Sequence, residues 1–220
     1  MKKLVCLIGL ICLFCSERVF SQVIKIENGV SFSKMNLPGN VFHDNLSMYS
    51  MNVGCDYLER KWYFLSSEIG YVRKGGAENA VYIDDPSDLR AIHLKNTLDY
   101  ITINASFNVK YNFRGFNLYA GIAPTLDFLV KNRFKSDAPE ENQNEEIFPA
   151  HKVVLGFKPS IGIFYDTDKI RLNIETSYMK NITKLSRSNS MKANTFLLSF
   201  GIGYKLSLIH ISEPTRRSYI

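Results

Sequence analysis

The chain has 220 residues, of which 45% are hydrophobic and 22% charged, so it can hold one barrel or one globular domain but no second large core. Residues 1–21 contribute +2 and residues 206–220 contribute +1 to the formal net charge of +6, which leaves +3 for the segment between them. So small a positive excess gives no reason to expect a nucleic-acid partner.

The first 21 residues have the order of a secretory signal peptide. Two lysines are followed by an apolar run from Leu4 to Cys15, and a polar stretch then leads to Ser21. We expect cleavage after Ser21, because the apolar run is too short to span a bilayer as a permanent helix. Three of the four cysteines lie in this segment, so the mature chain would keep only Cys55 and no internal disulfide.

From residue 22 onward, apolar and polar residues alternate with period two in eight stretches, which predicts β-strands. In the clearest stretch, Ile103 and Phe107 lie on one face whereas Asn104 and Asn108 lie on the other. The predicted strands are Ile24–Met35, Leu46–Tyr57, Trp62–Lys74, Ile101–Tyr111, Phe116–Phe128, Val153–Tyr165, Ile170–Tyr178 and Thr195–Lys205.

The connections between these strands are alternately long and short. The short ones are Leu58–Lys61, Asn112–Gly115 and Asp166–Asp168, and the long ones are Asn36–Asn45, Gly75–Asn96, Asn132–Ala150 and Asn181–Lys192. This pattern is typical of outer-membrane barrels, in which the tight turns and both termini lie on the periplasmic side. We therefore expect an all-β fold, an eight-stranded antiparallel up-and-down transmembrane β-barrel over residues 22–205.

Alternation alone does not show which face is outside. A soluble lipocalin-like carrier of a hydrophobic ligand would have the same alternation with its apolar face turned inward. The strand lengths, a polar face rich in Gly, Ser, Asn and Thr, and aromatic residues beside the tight turns all favour the cell outer membrane. These aromatic residues are Tyr57, Trp62, Tyr63, Tyr111, Phe116, Tyr165 and Tyr204. Pro124 and Pro159 lie in mid-strand, where each removes a backbone donor, so local β-bulges are expected there.

Short motifs also lie along the predicted strands. They are Gly29–Ser33, Glu68–Tyr71, Lys74–Gly76, Leu98–Ile103 and Ala120–Pro124. With them, residues 23–205 resemble the PorT-like outer-membrane β-barrel domain of many Gram-negative bacteria. The resemblance implies the barrel fold and, for some members, assistance to secretion machinery. It also implies that the outer-membrane insertion machinery reads an aromatic residue at the end of the last strand, where this chain has Tyr204 before Lys205.

The end of the sequence has a different character. Leu206 to Arg216 resembles a translated sequencing adapter, and Pro214 follows the last strand with neither a turn signal nor a partner strand. We interpret residues 206–220 as an adapter-derived artefact tail and set them aside. A genuine short tail is the alternative.

Charges of both signs fall on the predicted inner face. They are Lys25, Glu27, Asp56, Glu68, Asp127, Lys158, Arg171, Glu175 and Lys205. Since eight strands leave a lumen only wide enough for side chains, we expect these charges to pair and plug the interior. A proton or ion path along the network is the alternative.

Candidate sites for chemistry are few. His43, His93 and His151 fall in or beside long connections, but no Ser-His-acid spacing accompanies them, so we interpret them as solvated loop residues. The acidic run Glu140–Glu146 could hold a divalent cation, yet Arg133 and Lys135 lie nearby and a solvated face is the expected reading. We therefore predict no catalytic residue, no metal site and no cofactor.

The function expected from these features is that of a non-enzymatic outer-membrane barrel with a plugged lumen. Its long surface loops would contact a ligand, a secretion or surface partner protein, or lipopolysaccharide. One alternative is a lipid-modifying outer-membrane enzyme built on the same wall. The other alternative is the soluble carrier.

Overall fold

Eight antiparallel strands form a closed barrel in the computed structural model, which describes residues 22–36, 46–85, 88–136, 151–183, 185 and 192–206. The strands are β1 (Gln22–Asn36), β2 (Leu46–Tyr57), β3 (Tyr63–Asp85), β4 (Asp88–Phe113), β5 (Phe116–Ser136), β6 (Val153–Asp166), β7 (Ile170–Asn181) and β8 (Lys192–Leu206). Each pairs with the next along the chain, and β1 pairs with β8. The predicted fold is confirmed. Within the described residues, no helix has the length and apolarity needed to cross a bilayer.

Three neighbouring strands are much longer than predicted. The expected connection Gly75–Asn96 is wrong, because β3 and β4 remain paired as far as Asp85 and Asp88. β5 likewise continues beyond Phe128 to Ser136 and stays paired with β4. The alternation of apolar and polar residues ends where the outer face no longer meets lipid, so the sequence pattern indicated only the membrane-spanning part of these strands.

The tight turns lie where the sequence placed them. Arg114 and Gly115 form a two-residue turn between β4 and β5, with φ angles of 50° and 89°. Positive φ at both positions gives a turn whose twist matches that of the flanking strands, and Gly115 adopts it without steric cost. The turn between β6 and β7 is closed by the Thr167 N–H, which donates to the Ile170 carbonyl at 2.8 Å.

Neither mid-strand proline causes a bulge, contrary to the prediction. β5 and β6 pair without interruption from Phe116 to Phe128, a segment in which Pro124 pairs with Phe157 and Pro159 with Ile122. Pairing lapses beside Pro124 on the β4 side and beside Pro159 on the β7 side, but the register is the same before and after each gap. Each missing N–H therefore points away from the continuous β5–β6 ladder, and the closed sheet tolerates it.

The outer face of the barrel is apolar and the inner face is polar. Phe107, Leu126 and Phe200 point outward with 42%, 41% and 53% of their surface exposed. Their strand neighbours, such as Asn108 and Ser199, are buried inside. A soluble carrier needs the opposite arrangement, so that alternative is wrong. An apolar exterior around a charged interior places the barrel in a lipid bilayer, and closed barrels of this kind lie in the outer membrane.

Candidate functional site

The lumen is filled by side chains in layers, of which the lowest centres on Arg171, at the tight-turn end. Its guanidinium group donates to Asp56 at 3.0 Å, to Glu59 at 2.9 Å and to Asp166 at 2.8 Å. The Cζ atom also lies 3.8 Å from the centroid of the Phe164 ring. Three carboxylates and one aromatic face therefore hold a single cation, whose rigid planar geometry suits such multiple contacts.

Three glutamates and two lysines form the middle layer. Lys25 Nζ lies 2.7 Å from Glu68 and 3.0 Å from Glu27. Lys158 Nζ lies 2.9 Å from Glu68 and 3.1 Å from Glu175. The carboxylates of the three glutamates come within 4.8 Å of one another, a spacing that could hold a metal ion, but the two ammonium groups already bridge them. All five side chains are buried, as the sequence predicted.

Polar side chains complete the middle layer. The Tyr119 hydroxyl donates to Glu175 at 2.8 Å and lies 3.0 Å from the Asn173 amide oxygen. Asn173 in turn donates to Glu27 at 2.8 Å, and Asn104 donates to Glu68 at 3.1 Å. Buried polar and charged groups are costly without partners, and these hydrogen bonds give each of the three glutamates a partner in addition to the lysines.

A buried ion pair that the sequence did not reveal lies above this layer. Lys74 Nζ lies 2.5 Å from Asp127 Oδ2 and donates to Asn181 at 3.1 Å, and the side chains of Lys74 and Asp127 are fully buried. Asp127 was predicted to face inward, whereas Lys74 was the last residue of its predicted strand and was not assigned a face. The continuation of β3 beyond Gly75 fixes its direction.

A cluster of buried apolar residues, the apolar cap, lies in the upper lumen, although the inner face was predicted to be polar and rich in Gly, Ser, Asn and Thr. Its buried residues are Met35, Leu98, Tyr100, Val154, Leu185 and Ala193. Leu129 and Phe134 pack against them. A second interior cluster, of Phe64, Tyr119 and Phe164, lies at the opposite end. Charged layers and apolar clusters thus follow one another along the part of the interior that the structure describes.

The structure describes only part of the predicted candidate sites. His43 and the acidic run Glu140–Glu146 lie outside the described residues, as do the predicted signal peptide and residues 207–220. His93 lies on β4 opposite Asn79. His151 precedes β6, and its backbone N–H donates to the Leu185 carbonyl at 2.6 Å.

The described surroundings of His151 lack the partners that a Ser-His-acid triad requires. Its side chain is partly buried. Among the described residues, its imidazole ring forms no hydrogen bond or ion pair with a serine or a carboxylate. The described part of the chain therefore does not assemble a Ser-His-acid triad at this position.

An aromatic girdle surrounds the tight-turn end of the barrel. Trp62, Tyr111 and Tyr204 expose 58%, 70% and 54% of their surface. Phe116 packs on Tyr165 with ring centroids 5.2 Å apart. Amphipathic rings at one level are typical of residues at a membrane–water boundary.

Arg133 and Lys135, which the sequence suggested as loop partners of the acidic run, lie instead on β5 and point outward. Arg133 Nη2 lies 2.8 Å from Asp99, and Arg73 Nε lies 3.0 Å from the same carboxylate. These side chains lie just above the apolar outer face. They form a second polar feature, separate from the lumen.

Solved structures with a similar fold are outer-membrane proteins and surface proteins of bacteria. Neisserial surface protein A is 17% identical with a TM-score of 0.48, covering 83% of this chain and 97% of that one. The N-terminal β-barrel domain of Pseudomonas aeruginosa OprF is 8% identical with a TM-score of 0.43, covering 83% and 97%. Yersinia pestis Ail, solved with the heparin analogue sucrose octasulfate, is 13% identical with a TM-score of 0.41, covering 84% and 99%. No protein-family model matches the sequence, and no curated protein is significantly similar to it.

Proposed function

We propose that the protein is a non-enzymatic outer-membrane barrel that conducts no solute and acts through the surface carried at its long-connection end. The observation that carries this proposal is the filled lumen. Arg171, the Lys25–Glu68–Lys158 chain of ion pairs and the Lys74–Asp127 pair occupy successive levels of the barrel interior, and buried apolar clusters pack beside and above them. A barrel with this interior serves as an anchor and leaves binding to its outer surfaces.

The extended strands support a role in surface binding. β3 and β4 run for 23 and 26 residues, against 12 for β2 and β7, so their hairpin projects beyond the membrane-spanning part. Paired strands present a contact surface with less conformational freedom to lose than a long irregular loop has. Such a surface suits a ligand, a partner protein or lipopolysaccharide.

Closure of the lumen is tested by inserting the folded chain into planar lipid bilayers and recording current under an applied voltage. We expect no stepwise conductance, while a general porin in the same bilayer conducts. Resistance of the inserted chain to unfolding by detergent, seen as heat-modifiable migration on a gel, verifies that it is present and folded. Reproducible conductance steps would contradict the proposal.

The absence of enzymatic activity on lipid is tested separately, in a Gram-negative host that produces the chain. We expect the mass spectrum of lipid A to be the same with wild-type protein, with His151→Ala and with an empty vector. A modified lipid A species that requires the chain and disappears with His151→Ala would establish the enzyme alternative.

We propose further that the chain is a PorT-like barrel and contacts secretion machinery. The support is the set of motifs quoted above, several of which supply residues with structural roles here: Glu68 and Lys74 in the lumen and Asp99 on the outer wall. In-cell photocrosslinking from the β3–β4 hairpin, for example at Ala80, tests this proposal. Crosslinks to secretion components support it, and crosslinks confined to lipopolysaccharide contradict it.

A further inference from the structure

Four cationic side chains surround one hollow on the outer wall, where β3, β4 and β5 continue above the apolar face. The hollow has a volume of about 150 Å³ and is lined by Met48, Arg73, Lys95, Thr97, Arg133 and Lys135. We call Arg73, Lys95, Asp99, Arg133 and Lys135 the outer-wall basic site. The luminal layers described above do not contain any of these residues.

Asp99 holds the two arginines in position. Its carboxylate is 3% exposed and accepts from Arg73 on one oxygen at 3.0 Å and from Arg133 on the other at 2.8 Å. The arginine side chains remain 35% and 41% exposed, and Arg73 Nε is also 2.8 Å from the Tyr71 hydroxyl. Both guanidinium groups are thus fixed in place while their remaining N–H groups are open to a ligand, which reduces the entropy lost on binding.

Lys95 and Lys135 lie where their positive charges repel each other unless an anion is close to both. Lys95 and Lys135 pair directly across β4 and β5, and like charges in directly opposite positions destabilise a sheet. Among the described residues, no carboxylate forms an ion pair with either lysine. The site therefore carries four cations and one carboxylate, which is an excess of three positive charges.

A β-bulge at Val130 directs the Arg133 and Lys135 side chains of β5 outward. Tyr100 pairs with Leu129 and Asp99 pairs with Lys131, so that Val130 is an extra residue on β5. Below the bulge the even-numbered residues of β5 point outward, and above it the odd-numbered ones do, which moves Arg133 and Lys135 from the lumen to the wall. Bulges commonly redirect side chains near functional positions in this way.

The height of the site identifies the ligand. Among the side chains that the structure describes, Tyr71, Ile101 and Val130 are the last large apolar residues of the outer face on β3, β4 and β5. Arg73 and Asp99 follow at the next outward positions of β3 and β4, and Arg133, Lys135 and Lys95 lie further from the apolar face. An anion at this height, against the outer wall and at the long-connection end, is a headgroup of the outer leaflet. Arginine forks and lysine ammonium groups are the side chains that bind phosphate most strongly.

We propose that the outer-wall basic site binds a phosphate group of lipid A, the phosphorylated glycolipid of the outer leaflet. This inference rests on the outer-membrane function proposed above and names one ligand of its surface. The phosphate accepts from Arg73 and Arg133 and lies between Lys95 and Lys135, while the acyl chains lie along the apolar face below. The bound lipid stabilises the long β3–β5 strands where they leave the membrane.

The test uses the full chain folded in detergent, with bound lipid counted by native mass spectrometry. The probes are lipid A with its phosphates, the same lipid A after dephosphorylation, and inorganic phosphate as a competitor. Two double variants remove the site: Arg133→Gln with Lys135→Gln, and Lys95→Gln with Lys135→Gln, which leaves both arginine–Asp99 pairs intact. The control is Lys34→Gln with Lys180→Gln, because these exposed lysines also lie on the outer face near the long-connection end, two positions after Phe32 on β1 and Tyr178 on β7, and their loss removes the same charge.

We expect both site variants to bind lipid A at least about tenfold more weakly than the wild-type protein does, because charged hydrogen bonds are lost. The control should bind like wild type. Dephosphorylated lipid A should bind wild-type protein as weakly as the site variants bind lipid A. Equal binding by the site variants, an equal loss in the control, or equal retention of dephosphorylated lipid would overturn the proposal. Displacement of the lipid by millimolar inorganic phosphate would assign the site to a soluble anion and also overturn it. Conductance is measured independently, so failure here leaves the closed-lumen proposal standing.

Discussion

Lys74 and Asp127 form an ion pair across the barrel interior, joining β3 to β5 with 2.5 Å between Nζ and Oδ2 and no exposure of either side chain to solvent. The Lys74 ammonium also lies 5.3 Å from the centroid of the Tyr100 ring, at the base of the apolar cap. The strands they join are not neighbours, since β4 lies between them. The pair therefore links the charged layers to the cap.

Removing one partner of this pair should cost more stability than removing both. Asp127→Asn or Lys74→Met leaves a buried charge without its partner, and we expect each to lower the free energy of unfolding by about 3–5 kcal/mol. The double variant Lys74→Met with Asp127→Leu should recover most of that loss. Denaturant titration in lipid vesicles, followed by Trp62 fluorescence, measures all three. Additive losses in the double variant would contradict a direct interaction.

Gly162 makes room for the Tyr119 ring inside the lumen. A β-carbon at position 162 would lie 2.4 Å from Tyr119 Cζ, and the Tyr119 hydroxyl is held by Glu175 and Asn173. We expect Gly162→Ala to destabilise the barrel by about 1–3 kcal/mol, as overpacking does. The same substitution in a Tyr119→Leu background is the control and should cost clearly less. An equal cost in both backgrounds would show that the backbone, and not the tyrosine, requires glycine here.

Much of the barrel could be predicted from sequence because its membrane-spanning part obeys one rule. Lys25, Glu68 and Arg171 were placed inside from alternation alone, since any residue between two lipid-facing neighbours must face the lumen. Lys74 was not assigned to the lumen because the predicted strand ended there and a long connection was expected from Gly75, whereas β3 continues.

The outer-wall basic site could not be predicted for a different reason. Arg133 points outward only because of the bulge at Val130, and alternation carries no sign of an inserted residue. Its ion pair with Asp99, and that of Arg73, depend on strand register, which the sequence pattern does not give. At Pro124 and Pro159 the error was the opposite one, since bulges were predicted there and none is present. A missing backbone donor produces a bulge only where the ladder cannot accommodate it in another way.

Trp62 is the only tryptophan of the chain and serves as a probe of membrane depth. It lies beside the tight turn after β2 with 58% of its surface exposed, and the centroid of its ring is 4.5 Å from that of the Tyr63 ring. We expect its fluorescence to be quenched more strongly by lipids brominated near the headgroup than by lipids brominated near the bilayer centre. In the control, Trp62→Phe with Ile174→Trp moves the probe to mid-strand on β7, and the order should reverse. The same order in both proteins would contradict the assigned position of the apolar face.

Arg171 should not be replaceable by lysine, although both are cations. One ammonium group cannot contact Asp56, Glu59 and Asp166 together and also pack against the Phe164 ring, as the guanidinium does.

We expect Arg171→Met to lower the free energy of unfolding by about 3 kcal/mol or more, because Asp56 is buried and its remaining ion-pair partner among the described residues is Lys25, at 3.4 Å. Arg171→Lys should recover only part of this loss. Lys205→Met is the matched control at the same end of the barrel: its partner Asp166 is 3.2 Å away with both side chains 22% exposed, and such a pair contributes at most about 1 kcal/mol. If Arg171→Met proved as mild as Lys205→Met, the lowest layer would be solvated like a surface and would not close the lumen.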